Sequence, residues 1–369
     1  MWLFKSSIGR KFVMALTGVC LVLFVTFHVL MNSVALIWPT AYNSVCEFLG
    51  ANWYALVASM GLAALFIIHI IYAVWLTVQN RAARGNDRYA VTSRPPQVEW
   101  SSKNMLVLGI VILAFLVVHL IQFWAKMQWV ELVHTPVNEM ATVNGDIAAA
   151  PVQGTLMLQM AFSQIWTPIV YIIGFVALWF HMNHGFWSMF HTIGWDNNIW
   201  ISRLKKISCW WTSIVIALFV LQAVVFTVRA KQNYYTENDA LKEQYAEYWN
   251  KQAKTITDEF LMPIQAWSAE VQAKSQEMNK KMQEGKLTAD EQTALYEQQR
   301  KDGEELQKKI EDYCMDNGPA FMAKYETINK TMEAMSLAQN EGMMQMAQIN
   351  NQIDITIKAA TEKQKNETK

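Results

Sequence analysis

Four histidines in this chain could do shared chemistry: His28, His69, His119 and His181. Each lies in its own apolar stretch, Phe12–Trp38, Trp53–Gln79, Met105–Ala125 and Ile165–Trp187, and none of these stretches contains Asp, Glu, Lys or Arg. A neutral imidazole is a metal ligand, and two of them on opposite faces of a porphyrin hold a haem iron. Ionisable side chains inside a bilayer are costly and usually functional. Proton relays built on intramembrane histidine usually pair it with Asp or Glu, and these stretches offer neither.

The elements that position the histidines follow from length. A transmembrane helix needs roughly 20 apolar residues, and each stretch supplies about that many. Every histidine is displaced by three to five residues from the middle of its stretch towards the C-terminal end. At the helix rise this is ~5–7 Å from the midplane. Consecutive spans run in opposite directions, so His28 and His119 share one depth and His69 and His181 the other. The two levels would be ~10–15 Å apart. Two stacked bis-histidine haems are the expected occupants.

The chain has 369 residues, a formal net charge of zero and 53% apolar residues. Neutrality gives no nucleic-acid signal. A mean hydropathy of only +0.09 hides two unlike parts, membrane-like residues 1–229 and polar residues 230–369, which are rich in Glu, Lys, Gln, Asn and Met. Cys20, Cys46, Cys209 and Cys314 are far apart in sequence, so iron–sulfur and zinc spacings are missing and haem would be held non-covalently. A Cys46–Cys314 disulfide is open if both face an oxidising side.

A fifth apolar stretch, Ile207–Val228, carries no histidine. Lys5, Arg10 and Lys11 precede the first span. Arg81, Arg84, Arg88, Arg94 and Lys103 lie between the second and third, and Arg203, Lys205 and Lys206 between the fourth and fifth. The opposite loops offer only Lys126. The positive-inside rule then makes the amino terminus cytoplasmic and, with five spans, the tail periplasmic. His69 and His181 become the inner pair, His28 and His119 the outer. Trp38, Trp53, Trp124 and Trp210 are expected at helix ends, where amphipathic indoles prefer to sit. The outer loop 126–164 is long, and its run Asp146-Ile-Ala-Ala-Ala-Pro-Val reads as irregular or surface-lying. In the tail, apolar residues recur at helical spacing, with breaks expected at Gly285, Gly303 and a hairpin turn near Gly318-Pro319. The expected fold is therefore all-α: a five-helix transmembrane bundle (1–229) and a helical, hairpin or coiled-coil-like extramembrane extension (230–369).

Other residues have less decided roles. On depth alone His184 competes with His181 as the fourth ligand. His191 belongs at the cytoplasmic interface and His134 in the outer loop. Arg10 and Lys11, with Ser6 and Ser7, could meet the propionates of the inner haem or serve only as positive-inside anchors. Within the spans, Gly18, Gly61, Gly109, Gly174 and Gly185 could admit a porphyrin or simply let helices approach.

The run Ser6-Ser7-Ile8-Gly9-Arg10-Lys11 followed by Phe27-His28, and the run His181-Met-Asn-His-Gly-Phe-Trp-Ser continuing to Thr192-Ile-Gly194-Trp, resemble the five-helix, di-haem cytochrome b subunit of succinate:quinone oxidoreductases, fumarate reductases included. The resemblance covers residues 1–229. It implies His181 rather than His184 as ligand, since the axial histidine of that family precedes the glycine, here Gly185, by four residues. It implies two haem b groups, one shared by spans one and three and the other by spans two and four. It also implies a membrane anchor and electron conduit of a succinate dehydrogenase or fumarate reductase complex, in the inner membrane of a bacterium. The partners would be a flavoprotein subunit with FAD and an iron–sulfur subunit, both at the cytoplasmic face, and menaquinone. The dicarboxylate site would lie in the flavoprotein, and the complex could itself be a dimer. Polar candidates for the quinone site near the outer haem are Asn32, Glu47, Gln122 and Lys126. Glu47 is the one carboxylate of the first outer loop and a possible proton acceptor. Some family members carry a proton-conducting glutamate where this chain has Trp179, and the tail lies outside the family pattern. An intramembrane-histidine transporter, or a membrane tether serving the tail, are the alternative readings.

Overall fold

The computed structural model describes residues 6–50, 52–84, 99–133, 141–143, 147–195, 197–285 and 287–367. Lys5, Arg88, Arg94 and His134 lie outside them. The protein is all-α, and five of its helices are long and apolar enough to cross a membrane, which makes it a multi-pass membrane protein.

In chain order, α1 is Ser7–Ile37, α2 Pro39–Gly50, α3 Trp53–Arg84 and α4 Trp100–His119, which runs on into a π-helical turn at Leu120–Trp124. Then come α5 (Gln128–Val133), strands β1 (Ala141–Val143) and β2 (Ile147–Ala149), α6 (Gly154–Phe162), α7 (Trp166–Thr192), α8 (Trp200–Lys231) and α9 (Tyr234–Glu237). The carboxyl-terminal part holds α10 (Asp239–Gln283), α11 (Ala289–Ala334) and α12 (Glu341–Glu367). The chain divides into two compact units. The first comprises residues 1–135, 140–144 and 149–241, and the second 136–139, 145–148 and 242–369.

In the first unit, Ser6 caps α1 by accepting from Gly9 N–H at 2.9 Å, which satisfies one of the orphan donors of the first turn. Gly194, at φ +85°, ends α7 in the left-handed conformation that glycine adopts freely. The long helices form a ring: α1 packs on α3 and α7, and α4 on α7 and, lightly, on α3. Among the described residues neither α1 with α4 nor α3 with α7 is a close neighbour, so each of these couples lies across a diagonal. Helix α8 lies outside the ring against α1 and α7. Much of the bundle's apolar surface faces outwards, including Ile37, Trp38, Ile165 and Trp210, as a lipid-facing surface requires.

Two local readings change here. Trp210 is ten residues into α8, which opens at Trp200, so Trp200 is the indole at that helix end. The loop 126–164 contains α6, a nine-residue helix with all but Met160 buried against α2, α8 and α9. Gln159 on α6 donates to Ala230 O at 2.8 Å, and Thr155 donates to Asn43 Oδ1 through both its N–H and its hydroxyl. Thr155 and the Gln159 amide N–H are thus paired, while Gln159 Oε1 has no partner among the described residues. Residues 147–150 of the same loop are buried as well, so this part of the loop is packed and not surface-lying.

In the second unit, α10 and α11 run antiparallel. Phe260 meets Tyr313 and Phe321, Trp267 meets Tyr313, and Gln299 donates to Ser275 and Asn279. The turn between them is at Gly285, φ +67°, and a capping box of Thr288 and Glu291 restarts the helix. Gly303 and Gly318-Pro319 lie inside the continuous α11, not at breaks. A Cβ at Gly318 would lie 2.6 Å from Ile353 and 3.0 Å from Ile357, so this glycine serves the close approach of α12. The second turn instead comes after Ala334. Among the described residues Cys20, Cys46, Cys209 and Cys314 form no disulfide.

Candidate functional site

Two histidine pairs lie on the two diagonals of the ring. His28 of α1 and His119 of α4 have ring centres 5.8 Å apart. His69 of α3 and His181 of α7 have theirs 6.3 Å apart. Metal–imidazole bonds of ~2 Å on opposite sides of one ion set the ring centres roughly 6 Å apart. Both pairs therefore have the spacing of a bis-imidazole ligand set, made by helices whose backbones stand apart. Among the described residues there is no cluster of three or more His, Cys, Asp or Glu side chains; an axial pair needs only two.

The levels can be measured along the helices. His69 bonds Thr17 of α1, and Thr17 precedes His28 by eleven residues, ~16 Å of rise. On α4, Gly109 faces His181 and precedes His119 by ten residues, ~15 Å. Two independent helices thus give one separation.

Hydrogen bonds fix which ring nitrogen is free. Thr17 Oγ1 lies 3.0 Å from Val13 O and 3.1 Å from Met14 O, so its proton goes to the backbone. Its oxygen, 3.0 Å from His69 Nδ1, must then accept the imidazole N–H. Tyr171 donates to Gln122 Oε1 at 2.9 Å, and its oxygen, 3.1 Å from His119 Nδ1, accepts in the same way. In both rings Nε2 keeps its lone pair, the state a ligand needs. His181 Nδ1 is buried without a partner among the described residues. A Cβ at Gly18 would come 3.9 Å from His69 Cε1, and one at Gly109 3.9 Å from His181 Cε1, an ordinary contact distance, so each glycine lies directly beside a ring of this pair. His28 departs from this pattern. Asn32 Nδ2 is 3.1 Å from its Nε2, while Asn32 Oδ1 accepts from Tyr42 at 3.2 Å. Ligation through that nitrogen requires Asn32 to turn away. With that one adjustment the residues fit two haem irons.

Aromatic rings close around the His28/His119 pair. Phe24 stacks on His28, Phe219 flanks it, and Phe115 and Phe123 flank His119. The π-helical turn follows His119 directly, a common device at functional sites. It carries Gln122, which donates to Thr167 at 3.1 Å. Gln122 and Lys126 also line a cavity of about 400 Å³ with Val118, Ile121, Met160 and Trp166. Burial lowers the Lys126 ammonium from its ordinary pKa, and its Nζ lies 3.1 Å from Met160 Sδ. Of the other polar candidates, Asn32 is committed to His28 and Tyr42, and Glu47 is exposed on α2. Trp179 donates to Ser213 Oγ at 3.0 Å, and an indole has no proton acceptor to offer.

One turn from His181, His184 Nδ1 is 3.3 Å from Glu99 Oε2, and Lys205 is 2.8 Å from Glu99 Oε1. Lys205 also lies over the Trp187 ring. His184 therefore faces the head of α4, and it is His181 that faces His69. Arg10 reaches α3, over the Trp75 ring and, with Gln79 turned so that its oxygen accepts, 2.8 Å from that amide. Arg10 Nε is buried without a partner among the described residues, while Ser7 and Lys11 are exposed. Sequence reasoning missed Thr17 and Tyr171; each is an ordinary span residue until its partner, 52 positions away, is known.

Burial raises the Glu99 carboxyl, but the hydrogen bonds and charges of Lys205 and His184 outweigh it, and its pKa falls below the ordinary 4.5. A depressed carboxylate stabilises the fold above its unfolded pKa, and that contribution disappears as pH falls through the folded one. Glu99→Gln should lower thermal stability at pH 7 by an amount typical of exposed pairs, about 1 kcal/mol or less. Melting curves of the two proteins should converge as pH falls below 4.5 and through the folded carboxyl's titration. A constant gap across that range would refute the assignment.

No family model matches the chain, and neither a curated protein nor a solved structure does.

Proposed function

We propose that this chain carries electrons across a membrane through two bis-histidine haem b centres, as the membrane anchor and electron conduit of a succinate dehydrogenase or fumarate reductase complex. One observation carries the reading: two diagonal histidine pairs with ring centres 5.8 and 6.3 Å apart, at levels ~15 Å apart by helix rise. Two stacked centres divide a hydrocarbon core of ~30 Å into shorter steps. Haem, were it bound, would supply one-electron redox chemistry at each level.

The chain's own residues supply position and environment. His28 and His119 would hold a haem at one level, His69 and His181 at the other. Thr17 and Tyr171 hold His69 and His119 with Nε2 free. Arg10, whose Nε has no partner among the described residues, is the residue placed to meet a propionate at the inner level, with Lys11 and Ser7 nearby in sequence. The cavity lined by Gln122 and Lys126 is the quinone site in this reading. Its apolar walls suit a quinone ring, and Lys126 can donate to a carbonyl oxygen. Menaquinone is the quinone that the family resemblance implies. The same resemblance supplies the flavoprotein with FAD and the iron–sulfur subunit at the cytoplasmic face. The loop-charge bias supports an inner-membrane location with the amino terminus cytoplasmic and the tail periplasmic.

The test is a reduced-minus-oxidised spectrum of the purified chain with haem quantified per polypeptide. Two low-spin, non-covalent b haems are expected. One haem, or none, overturns the proposal.

A further inference from the structure

Tyr171 is 4% exposed and rings of Phe115, Phe162 and Phe175 surround it. A buried phenol must place both its proton and its lone pairs. The proton goes to Gln122 Oε1 at 2.9 Å, which leaves the oxygen to accept from His119 Nδ1 at 3.1 Å. Gln122 is held in turn by its Nε2–H donated to Thr167 Oγ1, a fully buried hydroxyl. Protons along this chain therefore point one way, from His119 through Tyr171 to Gln122. Gln122 also lines the cavity beside Lys126.

We infer that Tyr171 is the positioning residue of the outer centre, that it sets the tautomer and basicity of His119, and that Gln122 acts on His119 only through Tyr171. The inference rests on the haem reading above. An acceptor on the far N–H of a ligating imidazole raises its basicity and favours the ferric state. Without Tyr171's oxygen, His119 is a weaker donor and the outer centre becomes easier to reduce. Among the described residues His69 and His181 have no connection to this chain; His69 is served by Thr17.

The experiment is a redox titration of the whole protein as wild type, Tyr171→Phe, Gln122→Leu and the double variant, resolving both haem transitions. Tyr171→Phe keeps the ring among its aromatic neighbours and should raise the outer midpoint, leaving the inner one in place. Gln122→Leu should shift the outer midpoint in the same direction by less. On the Tyr171→Phe background, Gln122→Leu should add nothing, because its route to His119 is gone. Additive shifts, an unmoved outer transition, or equal movement of both transitions would each overturn the inference. If Tyr171→Phe loses the outer haem, an outer shift in Gln122→Leu alone supports it and an unmoved one overturns it. A wild-type protein without haem overturns the functional reading and this inference together; two haems with unmoved transitions overturn this inference alone.

Discussion

His28→Ala and His119→Ala are expected to remove the same haem, and His69→Ala and His181→Ala the other, so each variant should keep one of two haems. Diagonal helices of the ring run parallel, so their histidines reach matching depth, whereas neighbours run antiparallel. Ring centres 5.8 Å apart in one pair and 6.3 Å in the other leave room for one iron each. Pairing His28 with His69 would span ~16 Å of helix rise, far beyond two metal–nitrogen bonds. His184→Ala should keep both haems, because that ring is engaged with Glu99. Haem quantification and potentiometry of the five variants decide the matter. If His28→Ala and His69→Ala abolish the same transition, the layered arrangement is wrong.

Gly174→Leu should be the most damaging change that touches no ligand. A Cβ at Gly174 would fall among Phe115 side-chain atoms, 2.8 Å from Cδ2 and 2.9 Å from Cβ. Phe115 is the wedge between α4 and α7, with its ring 5.0 Å from Tyr171, 5.6 Å from Phe175 and 6.0 Å from His119. Four added carbons must push α4 off α7, at the ~1–3 kcal/mol usual for overpacking or more. The bond between His119 and Tyr171 should open and the outer haem should be lost while the inner one stays. Gly174→Ala should be milder, and Phe115→Ala should partly restore Gly174→Leu by giving back volume. Gly185→Ala is the control, since nothing lies within 4 Å of a Cβ there. Equal haem content in Gly174→Leu and Gly185→Ala would refute the wedge.

The spans were legible because lipid imposes long uncharged runs, and the depth of each histidine was legible because helix rise is fixed. That His28 lies near His119 and His69 near His181 follows from those two facts. What surrounds the rings was not legible. Thr17 and Tyr171 look like any polar residue in an apolar run until folding brings them to His69 and His119. Helix α6 was hidden because nine residues are too few to show a period against an irregular loop. In the tail, Gly318-Pro319 reads locally as a stop. It is instead the place where Ile353 and Ile357 need room, and only the neighbouring helix reveals that.

Ile147 and Ala148 belong to the second unit, where both are buried and Ala148 N–H donates to the fully buried Thr331 Oγ1 at 3.0 Å. These two partners are 183 residues apart. At a synthesis rate of ~5–20 residues per second, the loop segment waits roughly ten to forty seconds for its counterpart to be made. During that interval an apolar strand stands uncovered, the condition under which nascent chains aggregate or recruit chaperones. The helical unit therefore cannot close over this segment until Thr331 has been made. A fragment beginning at residue 242 would fold without a piece of its own core.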